Sequence, residues 1–428
     1  MKIAFYTFGC KVNQYETQAM AQLFAAQGWD VVEFSHNGGW DVVVVNSCTV
    51  TAEGDRKTRQ LLRRLRREHP EAVICLTGCF PQSFPAEAGA MAEADVVTGS
   101  KDRRALMAAL DRFLSTRERV VEIRPHQTGE SFEALSAGGF GRRTRAFLKI
   151  EDGCENYCAY CIIPTARGPV RSKEMGALRQ ELEALAAAGY QEVVLAGINL
   201  SAYGREYGLR LIDAIETAAA VPGLRRVRLG SLEPDVIGPE DFARMAAAGK
   251  VCPQFHLSLQ AGCDATLRRM GRRYDTAHYL AAVEEIRRRF PLAAITTDLM
   301  VGFPGETPAD FEESVAFARR VGFARIHVFP YSRRPGTRAA EMPGQLPQEK
   351  RRRAARLIAV GEELRGAFLS SMEGTVQEVL FEEGGAEGQV GYTPNYTPVT
   401  VRELSPLQGR ILPVRLAGRE GDGCGGCL

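Results

Sequence analysis

Residues 153–161 read Gly153-Cys154-Glu155-Asn156-Tyr157-Cys158-Ala159-Tyr160-Cys161. Three thiols spaced C-x3-C-x2-C lie on one loop directly after an apolar strand at 147–150, and the rest of the chain falls into order around it. From about Ala146, further apolar strands recur at 192–196, 226–229, 255–259, 294–301 and 325–329, with helical patterns at 175–188, 211–220, 274–289 and 309–320 between them. Six such units predict a partial (β/α)6 barrel, whose chemistry collects where the strands end. Cys154, Asn199, Ser231, Glu233, Gln260, Gly302 and Tyr331 all fall just past a predicted strand.

Upstream, apolar strands at 2–8, 30–34, 41–46, 72–77 and 94–98 alternate with helical patterns at 15–27 and 55–67, the rhythm of a parallel sheet covered by helices. Cys10, Cys48 and Cys79 each follow one of these strands, so a single parallel sheet brings all three to one carboxyl edge. Gly9 and Gly78 precede two of them and give the backbone room to turn around a bulky bound group. Cys75 sits inside its strand and reads as a packed thiol. Downstream, a basic helix is expected over 348–372, followed by short strands at 374–381, 389–392, 397–403 and 410–416, the signature of a small β-barrel.

The composition agrees with a folded, soluble α/β chain: 428 residues, 45% hydrophobic and 25% charged, with net charge +2. It excludes a disordered chain, a collagen and a small disulfide-stapled scaffold. No run approaches the roughly 20 apolar residues of a membrane helix, and Met1-Lys2-Ile3-Ala4-Phe5-Tyr6 does not read as a secretion signal, so a cytoplasmic protein without membrane contact is expected. In a reducing compartment, 11 cysteines point to metal ligation or reactivity rather than disulfides.

No fourth ligand accompanies Cys154, Cys158 and Cys161 at local spacing. A structural zinc site and an electron-transfer [4Fe–4S] cluster each want four closing ligands, whereas three thiolates leave one iron open. With Tyr160 beside them, these cysteines resemble the signature of the radical S-adenosylmethionine enzymes. Added to Cys10, Cys48 and Cys79, the whole pattern resembles the methylthiotransferases, over the chain from Lys2 to about Leu416. The resemblance implies two three-cysteine [4Fe–4S] clusters and S-adenosyl-L-methionine, with a carbon radical taking the C2 hydrogen of an adenine and the N-terminal cluster holding the transferred sulfur. Gly9-Cys10-Lys11-Val12-Asn13-Gln14-Tyr15-Glu16-Thr17, Asn46-Ser47-Cys48-Thr49-Val50-Thr51 and Gly391-Tyr392-Thr393-Pro394-Asn395-Tyr396 are most similar to the branch acting on N6-threonylcarbamoyladenosine beside the tRNA anticodon. Isopentenyladenosine in tRNA and a ribosomal-protein aspartate are the alternative substrates, and a non-catalytic iron–sulfur RNA-binding protein is the alternative of another class. Tyr160, Gly197, Asn199, Ser231, Glu233, Gln260 and Gly302 are the expected S-adenosylmethionine contacts, and Arg167 and Arg171 are read as carboxylate or phosphate contacts.

The implied partners are the tRNA anticodon stem-loop, a low-potential electron donor and a sulfur donor. Clusters of cations at 56–67, 287–289 and 350–356 suit a phosphate backbone, with Arg63, Arg64, Arg67, Arg352 and Arg353 as candidate RNA contacts and Tyr392 and Tyr396 as stacking residues. The expected organisation is an N-terminal domain holding the auxiliary cluster (1–115), a glycine-rich linker (116–145), the radical domain (146–345), a connecting helix (346–372), an RNA-binding TRAM-like barrel (373–418) and a disordered Gly/Cys tail (419–428).

Overall fold

The computed structural model describes residues 1–136, 138, 144–385, 388–403 and 405–428. Gly139, Gly141, Arg142 and Arg143 of the expected linker lie outside the described residues.

The N-terminal sheet contains β1 (Lys2–Thr7), β2 (Asp30–Val32), β3 (Val42–Ser47), β4 (Val73–Gly78), β5 (Val96–Thr98) and β6 (Val120–Glu122), all parallel, in the order β2-β1-β3-β4-β5-β6. Every residue of β3 and β4 is buried, as central strands covered on both faces must be, which explains the unbroken Val42-Val43-Val44-Val45 run. Helix α1 (Lys11–Ala26) starts directly after Cys10 and ends before Gly28, whose φ of +83° turns the chain back. Helix α2 (Ala52–Glu68) is capped by Thr51 Oγ1, which accepts from Gly54 N, and carries acids in its first turn and arginines in its last, complementing its dipole. The expected linker is corrected here: β6 falls within it and completes the sheet.

The middle of the chain forms six parallel strands around a lumen, at Arg145–Lys149, Glu192–Ala196, Arg226–Leu232, Gln254–Leu257, Ala294–Val301 and Arg325–Pro330. The third is interrupted at Gly230, pairing before the break with the second strand and after it with the fourth. Helix Pro347–Ser371 packs along the sixth strand, and α1 packs against the first.

The C-terminal barrel is closed by five strands, Val376–Gly385, Gly388–Tyr392, Pro398–Val401, Ile411–Glu420 and Gly423–Cys427. Val379, Phe381, Val399, Val401, Val414, Leu416 and Cys424 fill it, and Leu369 and Met372 plug one end. The expected disordered tail is therefore corrected, since residues 423–427 pair on both sides. Their glycines serve close approach: a Cβ on Gly426 would lie 2.5 Å from Val414 Cγ1, and one on Gly423 would lie 2.4 Å from Pro398 O. Cys424 is buried and Cys427 exposed, so they do not act as a ligand pair.

Candidate active site

Cys10, Cys48 and Cys79 follow β1, β3 and β4. β1 lies between β2 and β3, so the loops holding Cys10 and Cys48 flank the point where strand order reverses, the place where open parallel sheets form a crevice. Asn13 ties the three together. Its Nδ2 donates to Phe8 O and Ser47 O, and its Oδ1 lies 4.0 Å from both Cys10 Sγ and Cys79 Sγ. A Cβ on Gly9 (φ +105°) would sit 2.7 Å from Cys48 Cβ, and one on Gly78 (φ +99°) would sit 2.5 Å from Ser47 O. These glycines are required by neighbouring strand ends, a more local reason than a bulky bound group.

Arg167, the last residue of the short helix Ile163–Arg167 beyond Cys161, reaches this trio. Its Nε is 3.2 Å from Cys79 Sγ, its Nη2 donates to Asn13 Oδ1, and its Nη1 lies 2.6 Å from Glu16 Oε1. Glu16 also receives Lys149 and Arg103, and Lys149 continues to Asp152, two residues before Cys154. Burial opposes ionisation of Glu16, but Arg103, Arg167 and Lys149 outweigh it and hold the carboxyl down at about 2. Arg167 and Arg171 are thus buried, Arg171 on Asp152, and the expectation that they meet a substrate carboxylate or phosphate is corrected.

On the barrel loop, Gly153 takes φ +93°, and a Cβ there would stand 1.9 Å from Pro169 O. Cys154 N donates to Gly168 O, and Cys161 N to Cys158 O. Arg272 Nη1 lies 3.2 Å from Cys158 Sγ while its Nη2 pairs with Glu233, so one guanidinium joins a candidate ligand to a candidate cofactor contact. Across the loop, Glu151 accepts from Asn199 N at 2.7 Å through Oε2, the same oxygen that leaves no room for a Cβ on Gly197. Among the described residues, Asn199 Oδ1 and Nδ2 and Glu151 Oε1 are buried without hydrogen-bond partners, the condition expected where a polar ligand belongs. Burial, with Asp152 adding to it, pushes the Glu151 carboxyl well above the usual range. Tyr160 stands edge-on to Phe303 at 6.4 Å. Gln260 is a non-glycine residue at φ +69°. Gly302 has a packing duty, since a Cβ would meet Lys350 Cγ at 2.3 Å.

Burial pushes the Cys79, Cys154 and Cys161 thiols up to about 12. That is opposite to a reactive nucleophile and fits a ligand whose proton is displaced by a metal. Among the described residues no three His, Cys, Asp or Glu side chains are close enough to share one ion. Thiolates on different irons of a cluster are held apart by the cluster itself, so two wider thiol trios, each with a guanidinium 3.2 Å from one sulfur, fit that kind of group.

A cavity of about 670 Å³ occupies the lumen. Gly9, Cys10, Gly197 and Ser231 form its upper end, inward-facing residues of all six strands form its wall, and Asn395, Tyr396 and Thr397 form its floor. Tyr396 stacks on Tyr392 at 4.8 Å, with Arg145 over both rings and Arg228 over Tyr396. These two candidate RNA-stacking residues are engaged with each other and with lumen cations, and Tyr396 stays 40% exposed. Arg353 is also corrected, being buried on Glu306 and Glu349. Arg63, Arg64, Arg67 and Arg352 remain at the surface, each beside a glutamate. Glu151 and Arg272 stand beside candidate ligands or cofactor contacts without having been singled out by their sequence context, and the link from Arg167 to Cys79 and Asn13 was not foreseen. Arg226 and Arg228, alternating in an otherwise apolar strand, were a legible sign of a charged lumen.

Residues 148–318 match the model of the Radical SAM superfamily, and residues 2–99 match that of "Uncharacterized protein family UPF0004". A threonylcarbamoyladenosine tRNA methylthiotransferase of Bacillus subtilis is 37% identical over 97% of this chain and 93% of its own length. A tRNA-2-methylthio-N(6)-dimethylallyladenosine synthase of Acidothermus cellulolyticus is 38% identical over 88% of this chain and 77% of its own. Among solved structures, the radical S-adenosylmethionine methyltransferase TsrM of Kitasatospora setae is 16% identical, with a TM-score of 0.58 over 79% of this chain and 77% of that one, a likeness of fold. No helix is long and apolar enough to cross a membrane, among the described residues.

Proposed function

This chain belongs to the radical S-adenosylmethionine tRNA methylthiotransferases, and on that premise we infer that its substrate is N6-threonylcarbamoyladenosine next to the tRNA anticodon, converted to 2-methylthio-N6-threonylcarbamoyladenosine. Membership makes it an enzyme, which removes the non-catalytic alternative. Cys154, Cys158 and Cys161 would hold the radical-generating [4Fe–4S] cluster and Cys10, Cys48 and Cys79 an auxiliary one. The bound groups would supply the electron, the radical that takes the C2 hydrogen, and the sulfur.

The observation that carries this reading is the lumen lined both by Cys10 of one trio and by Gly197 and Ser231, two of the expected cofactor contacts. A base at the upper end of the lumen meets both halves of the chemistry. The Asn199 side-chain amide and Glu151 Oε1, without partners among the described residues, are suited to receive the polar end of S-adenosylmethionine. Arg272 holds Glu233 in place and carries positive charge to Cys158. Arg167 does the same at Cys79, and together with Glu16, Lys149 and Asp152 it forms one buried network joining the two sites. The reaction also calls for an external low-potential electron donor and a source of replacement sulfur.

Mass spectrometry of tRNA nucleosides from cells with and without the gene tests the substrate. The 2-methylthio-threonylcarbamoyl nucleoside is expected to disappear. Loss of the 2-methylthio-isopentenyl nucleoside instead, the reading that the Acidothermus cellulolyticus relative favours, would overturn it.

A further inference from the structure

We propose that Lys11, reaching into the lumen between Arg145 and Arg228, recognises the carboxylate that a threonylcarbamoyl group carries and an isopentenyl group lacks. This rests on the substrate reading above and assigns that specificity to one residue.

Each arginine lining the lumen has a carboxylate partner, Arg325 and Arg365 sharing one. Arg145 pairs with Glu382, Arg228 with Glu192, and Arg325 and Arg365 with Asp422. Lys11 has no hydrogen bond and no ion pair among the described residues, and it lines the same cavity. The one carboxylate in the lining, Asp298, faces His256 at 3.5 Å. Arg228 Nη2, fully buried, also lacks a partner. Lys11 is exposed to the cavity and shares it with Arg145 and Arg228, so a ligand carboxylate arriving there would gain a free ammonium donor and offset the like charge around it. The wall agrees: His256, Thr296 and His327 face the lumen, polar groups that suit a urea and a hydroxyl better than a hydrocarbon.

The covalent geometry of adenine points the same way. C2 and C6 flank N1 on one edge of the base, so a residue adjoining Cys10 at the sulfur site is placed to meet a substituent on N6. With the base at the upper end, the substituent extends down the lumen towards Arg145, Arg228 and the Tyr396 floor.

The test is equilibrium binding of anticodon stem-loops to the cluster-loaded protein. One carries N6-threonylcarbamoyladenosine, one its methyl ester, which keeps every phosphate and loses the carboxylate charge, and one isopentenyladenosine. Wild type is expected to prefer the acid over the ester by about ten- to a hundredfold, the range of a charge-assisted hydrogen bond. Lys11→Met should lose most of that preference and Lys11→Arg should retain much of it, compared at equal iron and sulfide content so that a damaged site is recognised. Equal weakening of acid and ester by Lys11→Met would identify a phosphate contact and overturn the assignment. Full preference surviving in Lys11→Met would overturn it as well. A wild type that prefers the isopentenyl stem-loop would overturn the substrate reading itself, and this inference with it.

Discussion

At the residue scale, burial does not separate ligand from bystander among the cysteines. Cys79 is buried and its thiol pushed up to about 12, and Cys252, which packs beside Arg228, has the same value. Cys75, the third residue of β4, is pushed up further. What distinguishes Cys79 is its company: Asn13 Oδ1 at 4.0 Å and Arg167 Nε at 3.2 Å, in reach of Cys10 and Cys48. Cys79→Ala should therefore lose about four of the about eight irons of a protein loaded with two clusters, measured by anaerobic iron analysis. Cys75→Ala should retain them all and lose about 1 kcal/mol in urea unfolding, the cost of one small buried group. The reverse pattern would show that the trio is wrong. Cys10, Cys48 and Cys79 were identifiable in the sequence because each ends a strand. Arg167 was not, because nothing at its position says that it crosses from one domain into the other.

At the element scale, strands and helices follow their periodic patterns closely, and the departures occur where glycine chemistry has two meanings. The Gly423-Cys424-Gly425-Gly426-Cys427 segment reads as tail by composition. In the fold it is a barrel strand whose missing side chains let it lie against Val414 and Pro398. Gly153 marks the opposite case, a single glycine on which a whole loop depends. It combines positive φ with a Cβ position 1.9 Å from a backbone carbonyl, which no rotamer change can relieve. Gly153→Ala should displace Cys154 and remove about four irons while leaving the cluster at Cys10, Cys48 and Cys79, seen as halved iron with the far-ultraviolet dichroism unchanged. Retention of all iron would mean that the loop accommodates the methyl group.

At the scale of the whole molecule, the C-terminal barrel contributes to the lining of the lumen. Arg226 donates to Glu378 O and Tyr392 O, Arg228 to Pro394 O, and Asn395 Nδ2 to Leu292 O, fixing Tyr396 as the lumen floor. At the other end, Arg334 enters the N-terminal domain to meet Thr49 and Asp55, both at 2.6 Å, holding the Cys48 loop over the mouth. Deleting residues 423–428 removes the strand that closes the small barrel and opens its core around Val399, Val414 and Leu416. Loss of methylthiolation is expected together with rapid proteolysis within residues 376–420, even though all six candidate ligands remain. A truncated protein that keeps both activity and protease resistance would show that the floor is dispensable.

The α/β architecture with its six barrel strands and small β-barrel was legible in the local sequence, and so were the candidate cysteine trios, because hydrophobic period, turn residues and thiol spacing are properties of neighbouring positions. Tertiary structure alone decided which charges meet. The Glu16 network, Arg272 on Cys158, Lys11 without a partner and Tyr396 beneath the lumen join residues tens to hundreds of positions apart. Basic runs show the limit from the other side: Arg353 reads as surface charge next to Arg352, yet one step along a helix turns it inward onto Glu306. Pairing of buried charge is set by the packing of whole domains, and no local pattern encodes it.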